Sequence, residues 1–244
     1  MKIIVTGSLG NISKPLTEEL VQKGHAVTVI TSKPEKQKDI EALGATAAIG
    51  SVGDADFLAA TFTGADAVYC MIPPINFTQP DPVAYYRKIG SNYAQAIRQS
   101  GAKRVVHLSS FGAHLDKGTG FILGAHHVEN ILNGLSEVAI THMRPTSFYY
   151  NLFGFINMIK GAGFIAANYG GEDKLELVSP MDIAAAIAQE IVTLHGGRKV
   201  RYVASDELTA NEAAGILGAA IGKPGLKWIT ITNEQMQSAL EATG

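Results

Sequence analysis

Short apolar runs and helical repeats alternate along the first two thirds of the chain. Lys2-Ile3-Ile4-Val5 opens it as a buried strand, after which Leu16, Leu20 and Val21 recur at helical spacing until Gly24 stops the helix. Residues 25–31 are β-branched and read as a second strand. A short charged helix over residues 34–43 ends at Gly44, and residues 45–49 form a third strand. The alternation then continues: a helix over 54–62, a strand over 67–72, a proline-rich loop over 73–82, a helix over 83–99, a strand over 103–108, a helix over 125–133 and a strand over 138–143. Six strands interleaved with helices predict an α/β fold with a doubly wound, mostly parallel sheet. Beyond it, residues 180–194 read as a helix and 201–204 as a strand. A further helix begins at Thr209, with Glu212 completing a capping box. Two portions are expected, residues 1–147 and residues 148–244, the second smaller and covering the substrate.

The first strand runs directly into Thr6-Gly7-Ser8-Leu9-Gly10-Asn11-Ile12-Ser13, which makes it the start of a dinucleotide-binding βα unit. Gly7 lets the chain turn off the strand, and Gly10 removes a side chain where a pyrophosphate must approach backbone N–H groups. Ser13 holds the third small position, where glycine is usual. The cofactor candidates in this turn are therefore Gly7, Ser8, Leu9, Gly10, Asn11 and Ile12. At the end of the second strand a dinucleotide-binding chain selective for NAD carries an acid for the ribose hydroxyls; here stand Thr31, Ser32 and Lys33, and the first acid is Glu35. Two hydroxyls and an ammonium suit a 2′-phosphate, so NADP(H) is expected in preference to NAD(H).

Composition narrows the class. In 244 residues, 20 Lys and Arg nearly balance 22 Asp and Glu, which argues against nucleic acid or a membrane surface as a partner recruited by charge. Cys70 is the sole cysteine, so one chain can form neither a disulfide framework nor a thiolate metal site, and no metal is expected. No apolar run is long enough to cross a bilayer, and Gly7 and Ser8 interrupt the opening run too early for a signal peptide. A soluble, cytoplasmic protein is the expectation.

Further candidates cluster where the strands end. Ser109 and Ser110 follow the fifth strand at its carboxyl end, where open α/β sheets bind ligands; Ser110 is the candidate to meet a substrate oxygen or the nicotinamide amide, and Ser109 to bind cofactor or satisfy the turn. Met71, Ile72 and Pro73 close the fourth strand as an apolar wall, and Cys70 before them reads as a small buried residue. Past Arg144-Pro145 lies an aromatic cluster. Phe148, Tyr149 and Asn151 are assigned to a pocket for a flat acceptor, while Phe153 and Phe155 are assigned to the core.

Thr6-Gly7-x-x-Gly10-Asn11-Ile12, Ser32-Lys33-Pro34-Glu35-Lys36, Val105-Val106-His107-Leu108-Ser109-Ser110-x-Gly112-Ala113 and Arg144-Pro145 together resemble the NmrA-like branch of the atypical short-chain dehydrogenases/reductases. The resemblance implies a Rossmann domain binding NADP(H) or NAD(H) and a smaller C-terminal portion closing over the nicotinamide. It also places Ser51, where the family often has an aspartate, near the adenine. Many members of the wider superfamily use a Tyr-x-x-x-Lys pair as proton donor. Residues 114–133 contain no tyrosine and only Lys117, with His126 and His127 in the corresponding stretch as candidate proton donors or ribose contacts. The expected function is NADPH-dependent hydride transfer to a small conjugated acceptor such as a quinone. The alternative is a dinucleotide-binding redox sensor without turnover. Relatives usually continue past the point where this chain ends, so a missing last segment is an expectation, and an oligomer stays open.

Overall fold

The computed structural model describes residues 1–74, 80–193 and 195–243. The predicted alternation is present: β1 (Lys2–Val5), α1 (Ser13–Gln22), β2 (Ala26–Thr31), α2 (Gln37–Ala42), β3 (Thr46–Ile49), α3 (Ala55–Phe62), β4 (Ala67–Met71), α4 (Pro82–Ser100), β5 (Arg104–Leu108), α5 (Leu123–Asn133) and β6 (Ala139–Pro145). There follow β7 (Ser147–Phe148), α6 (Ile156–Gly161), β8 (Ile165–Ala167), β9 (Lys174–Val178), α7 (Pro180–Val192) and β10 (Arg198–Val203). The chain closes with β11 (Asp206–Thr209), α8 (Ala210–Ala220), β12 (Trp228–Thr230) and α9 (Asn233–Thr243). Part of the expected proline-rich loop, residues 75–79, and the last residue of the helix expected over 180–194 lie outside the described residues.

Local chemistry sets several boundaries. Asp54 caps α3 by accepting from the amides of Asp56 and Phe57, and Asp81 caps α4 through Ala84 N, with Pro82 in the first turn and left-handed Gly101 (φ 72°) at the end. The capping box at Thr209 and Glu212 forms in both directions. The charged segment after β2 differs from the single helix expected: Pro34–Lys36 form a 3₁₀ turn before α2 begins.

Two compact units result. The first comprises Met1–Pro145 and Pro180–Val203, the second Thr146–Ser179 and Ala204–Gly244. The boundary expected between residues 147 and 148 therefore misses a return of the chain. It returns because β10 pairs in parallel with β6, from Arg198 beside Ile140 to Val203 beside Pro145. Two thirds of β10 is exposed and half of it is Arg or Lys, a composition that hides a strand from sequence reading, and only 201–204 is expected.

In the first unit seven strands run in the order β10-β6-β5-β4-β1-β2-β3, with each neighbouring pair parallel. The order reverses between β1 and β4, which creates the switch point at which such sheets bind ligands. On one face α1 and α7 pack side by side. On the other, Ile4, Val68, Cys70, Val105 and Ile140 of the sheet bury against Leu58, Phe62, Tyr93, Ile97, Val128 and Leu132 from α3, α4 and α5. Each such side chain contributes about 1.5–3 kcal/mol by leaving water.

The second unit holds β11, β9 and β7 in one sheet and a β12–β8 parallel pair. Its core gathers Ile159, Ile165, Ala210, Ala214, Leu226 and Trp228, with Phe155 packed against the Trp228 ring at 5.1 Å. Phe155, assigned to the core by sequence, is half-buried and packs against it. Phe153 does not: it is 69% exposed, because the 3₁₀ segment Tyr149–Phe155 turns it outward.

Candidate cofactor and active site

The switch point is built by a short chain of polar contacts. Thr6 N donates to Tyr69 O at 3.2 Å, Thr6 Oγ1 accepts from Met71 N at 2.9 Å, and the Tyr93 hydroxyl donates to Met71 O at 2.6 Å. These bonds fix the carboxyl ends of β1 and β4 against each other. The chain then turns through two left-handed residues, Gly7 (φ 92°) and Ser8 (φ 55°). A Cβ at Gly7 would lie 2.5 Å from Ser13 Oγ and 3.1 Å from the Met71 sulfur, so both the dihedral and the packing require glycine. Ser13 occupies the third small position usefully: its buried hydroxyl donates to Thr6 O at 2.8 Å, pinning α1 to the strand.

At the start of α1, Gly10 N bonds Gly7 O at 3.1 Å, and a Cβ on Gly10 would meet that same oxygen. Ile12, at the cap position, makes no side-chain hydrogen bond to the helix amides. An uncapped ten-residue helix with a bare glycine turn leaves amide donors and the positive end of the helix dipole for an anion, which fits a dinucleotide diphosphate. Gly7, Ser8 and Leu9 are half-buried here, Gly10 and Asn11 exposed and Ile12 buried.

Thr31 was expected to face the cofactor, but it is 1% exposed. Its hydroxyl oxygen accepts from Ser8 Oγ at 2.9 Å and from Lys33 N at 3.1 Å, so it joins the glycine turn to the end of β2 from inside. Ser32 and Lys33 are exposed. Among the described residues no carboxylate pairs with Lys33, whereas Lys36 is held by Asp39 at 3.1 Å. Ser51 is exposed and accepts from Gly53 N at 3.0 Å. With Val52, Asp81, Tyr85 and Lys88 it lines a cleft of about 440 Å³.

The carboxyl end of β5 differs more from expectation. Ser109 is buried, and its hydroxyl donates to Glu129 Oε1 at 2.5 Å instead of pointing to an open site. Glu129 in turn accepts from Arg144 Nε at 2.9 Å and Nη2 at 2.6 Å, and Arg144 Nη1 donates to the Tyr202 hydroxyl at 2.9 Å. The bonds to Glu129 raise the Arg144 pKa further above its ordinary value. Ser110 is half-buried, and its hydroxyl donates to Phe111 O at 3.0 Å. Met71 and Pro73 are half-buried and Ile72 buried; Cys70 is fully buried, which pushes its thiol pKa up and keeps it unreactive.

Neither histidine candidate has the freedom a proton donor needs. His126 Nδ1 donates to Ala113 O at 3.0 Å, and Asn130 Nδ2 donates to His126 Nε2 at 2.9 Å, so both ring nitrogens have protein partners. His127 Nε2 accepts from Arg87 at 2.6 Å; partial burial, then the Arg87 charge, lower its pKa. Both histidines are candidate proton donors or ribose contacts by sequence, and the fold gives each a protein partner instead. Glu129 and Arg144 went unassigned, although an acid among Val128 and Leu132 on the apolar face of a helix already demands a buried cation.

In the second unit the Phe148 ring lies 4.9 Å from Tyr150, the Tyr149 hydroxyl donates to Asp206, and Asn151 Nδ2 donates to Ser147 Oγ at 3.3 Å. Among the described residues no helix is long and apolar enough to cross a membrane, and no group of His, Cys, Asp and Glu could hold a metal ion.

Comparison with known proteins agrees with this geometry. The chain is 27% identical over 223 residues to the (4-alkanoyl-5-oxo-2,5-dihydrofuran-3-yl)methyl phosphate reductase of Streptomyces griseus, covering 91% of this chain and 74% of that one. It is 26% identical to the NAD(P)H azoreductase of Xenophilus azovorans, covering 99% and 81%. The fold matches the NADPH complex of the Escherichia coli NADPH-dependent quinone oxidoreductase with a TM-score of 0.83 at 21% identity, over 99% of this chain and 83% of that one. The expected doubly wound, mostly parallel sheet is thereby borne out. A family model described as NAD(P)H-binding matches residues 7–193, and the chain belongs to that NAD(P)H-binding family.

Proposed function

We propose that the protein is an NADPH-dependent oxidoreductase that reduces a small conjugated acceptor such as a quinone. The observation that carries the reading is the uncapped glycine turn at the β1–β4 switch point, in a chain whose curated relatives are reductases. When bound, NADPH supplies the hydride. Gly7 to Ile12 hold the diphosphate through backbone amides. Ser32 and Lys33, exposed at the end of β2, take the 2′-phosphate; a free ammonium there favours NADP(H) over NAD(H). The cleft at Ser51, Val52 and Tyr85 takes the adenine, and Met71 and Pro73 shield the reactive end.

Ser110 Oγ is the hydroxyl of its turn that is not spent on a buried carboxylate; turned from Phe111 O it hydrogen-bonds the acceptor oxygen, and the proton that follows the hydride comes from water. Within the second unit, Phe148, Tyr149 and Asn151 offer the flat and polar surface that suits a conjugated acceptor. Reduction of an electrophilic acceptor asks the protein for orientation more than for acid catalysis, so the absence of a Tyr-x-x-x-Lys pair does not disable it. One observation favours a second reading, a redox sensor without turnover: the ring nitrogens of His126 are both spent, and His127 is held by Arg87. Consumption of NADPH measured against a panel of quinones separates the two. Turnover with at least one acceptor supports the enzyme, and tight NADPH binding with no turnover supports the sensor.

A further inference from the structure

The turn that carries Ser110 is fastened at both ends from residues distant in sequence. At its start, Ser109 N donates to Met143 O at 2.7 Å, and the Ser109 hydroxyl is drawn onto Glu129 at 2.5 Å. At its end, Phe111 N donates to Pro145 O at 2.9 Å, and the Phe111 ring meets the Tyr202 ring edge-on at 6.0 Å. One group joins the two fastenings: Arg144, whose Nε and Nη2 hold Glu129, whose Nη1 holds the Tyr202 hydroxyl, and whose guanidinium carbon lies 5.6 Å from the centre of the Tyr202 ring. The circuit is Ser109, Glu129, Arg144, Tyr202, Phe111, and Ser110 lies inside it.

We propose that Glu129 is a positioning residue for the reaction, holding Ser109 so that the Ser110 hydroxyl is presented in one orientation. The inference rests on the reductase reading above. A role as proton carrier fits Glu129 poorly, since both its oxygens accept hydrogen bonds from an arginine and one also accepts from Ser109. A role in holding cofactor fits it no better, because its partners lie at β5, β6 and β10 and the glycine turn lies at β1. What the buried carboxylate can do is remove rotamer freedom from Ser109, and through the peptide bond from Ser110. Misplacing a reacting group by an ångström costs on the order of a hundredfold in rate, so a fastening of this kind matters without touching substrate.

The test uses Ser109→Ala, which cuts the link while leaving the Glu129–Arg144 pair whole, beside Glu129→Gln. Hydrogen exchange at the amides of residues 109–111 is read in the cofactor-free protein, and kcat, KM and NADPH Kd are read with a quinone. The expected result is exchange at 109–111 faster by about tenfold with β1 and β4 unchanged, and kcat lower by about tenfold with NADPH Kd within about twofold. Ser110→Ala added to Ser109→Ala then costs far less than Ser110→Ala alone. Unchanged exchange at 109–111 in folded Ser109→Ala, or full additivity with Ser110→Ala, would overturn the proposal. If the wild type binds NADPH and reduces no acceptor, the reductase reading falls, and the exchange experiment still decides whether Glu129 fixes this turn.

Discussion

Glu129 and Arg144 form a two-point ion pair, Oε1 to Nε at 2.9 Å and Oε2 to Nη2 at 2.6 Å, with side chains only 7% and 10% exposed. Removing one partner leaves the other charge buried without compensation. Glu129→Ala or Arg144→Ala is predicted to destabilise the fold by about 3–5 kcal/mol, whereas a double replacement by methionines recovers most of that loss. Urea unfolding of the three variants checks it. Equal losses in single and double variants would show that packing, not charge, dominates there.

Two buried histidines make the first unit sensitive to acid. His107 Nδ1 and His142 Nδ1 are 3.0 Å apart, and His142 Nε2 donates to Asn133 Oδ1 at 3.1 Å. His142 Nδ1 must then accept, His107 Nδ1 must donate, and buried His107 Nε2 has no partner. Burial, partly offset by Glu129, lowers the His142 pKa from 6.5 to about 4; burial and His142 push His107 well below its ordinary value. The folded state therefore binds fewer protons than the unfolded chain below pH 6.5. Stability from the pair is whole above that pH and is lost as the pH falls towards about 4, by about 3 kcal/mol for His142 alone. Unfolding measured across this window should show a shallower loss in the His107→Gln, His142→Gln double variant. An identical slope in both proteins contradicts the assignment.

Lys33 should discriminate between cofactors. Lys33→Ala is predicted to weaken NADPH binding about tenfold and NADH binding less than twofold, since only the first carries the 2′-phosphate. Fluorescence titration of both dinucleotides reads the difference. Equal weakening of the two would remove Lys33 from the 2′-phosphate.

Gly7→Ala combines a forced left-handed dihedral with a Cβ 2.5 Å from Ser13 Oγ. The substitution is predicted to cost about 1–3 kcal/mol and to break the Ser13–Thr6 bond that sets the start of α1. NADPH affinity should fall with it. Thermal unfolding with and without NADPH measures both effects, and an unperturbed affinity would detach the glycine turn from the cofactor.

How much of this was legible in the sequence depends on how far apart the partners lie. The glycine turn was readable because Gly7, Gly10 and Ser13 are neighbours in sequence and in space. The parallel strands were readable because burial on both faces leaves continuous apolar runs, as in β4, where Ala67 to Cys70 are all buried. β10 escaped in part because an edge strand of alternating Arg, Lys and Val resembles a loop. The circuit at β5 was hidden for a different reason. Ser109 and Glu129 are twenty residues apart and Tyr202 is far beyond, so the pattern exists only after the sheet has formed. The same holds for His126, whose partners Ala113 and Asn130 hold a candidate acid in place by both ring nitrogens.

The most direct measurement is a stoichiometric one: NADPH consumed and hydroquinone formed by the purified protein, without oxygen, with NADH run in parallel. The account predicts equal amounts of the two, with NADPH much preferred over NADH. NADPH that binds tightly and is never consumed, whatever the acceptor, would contradict it.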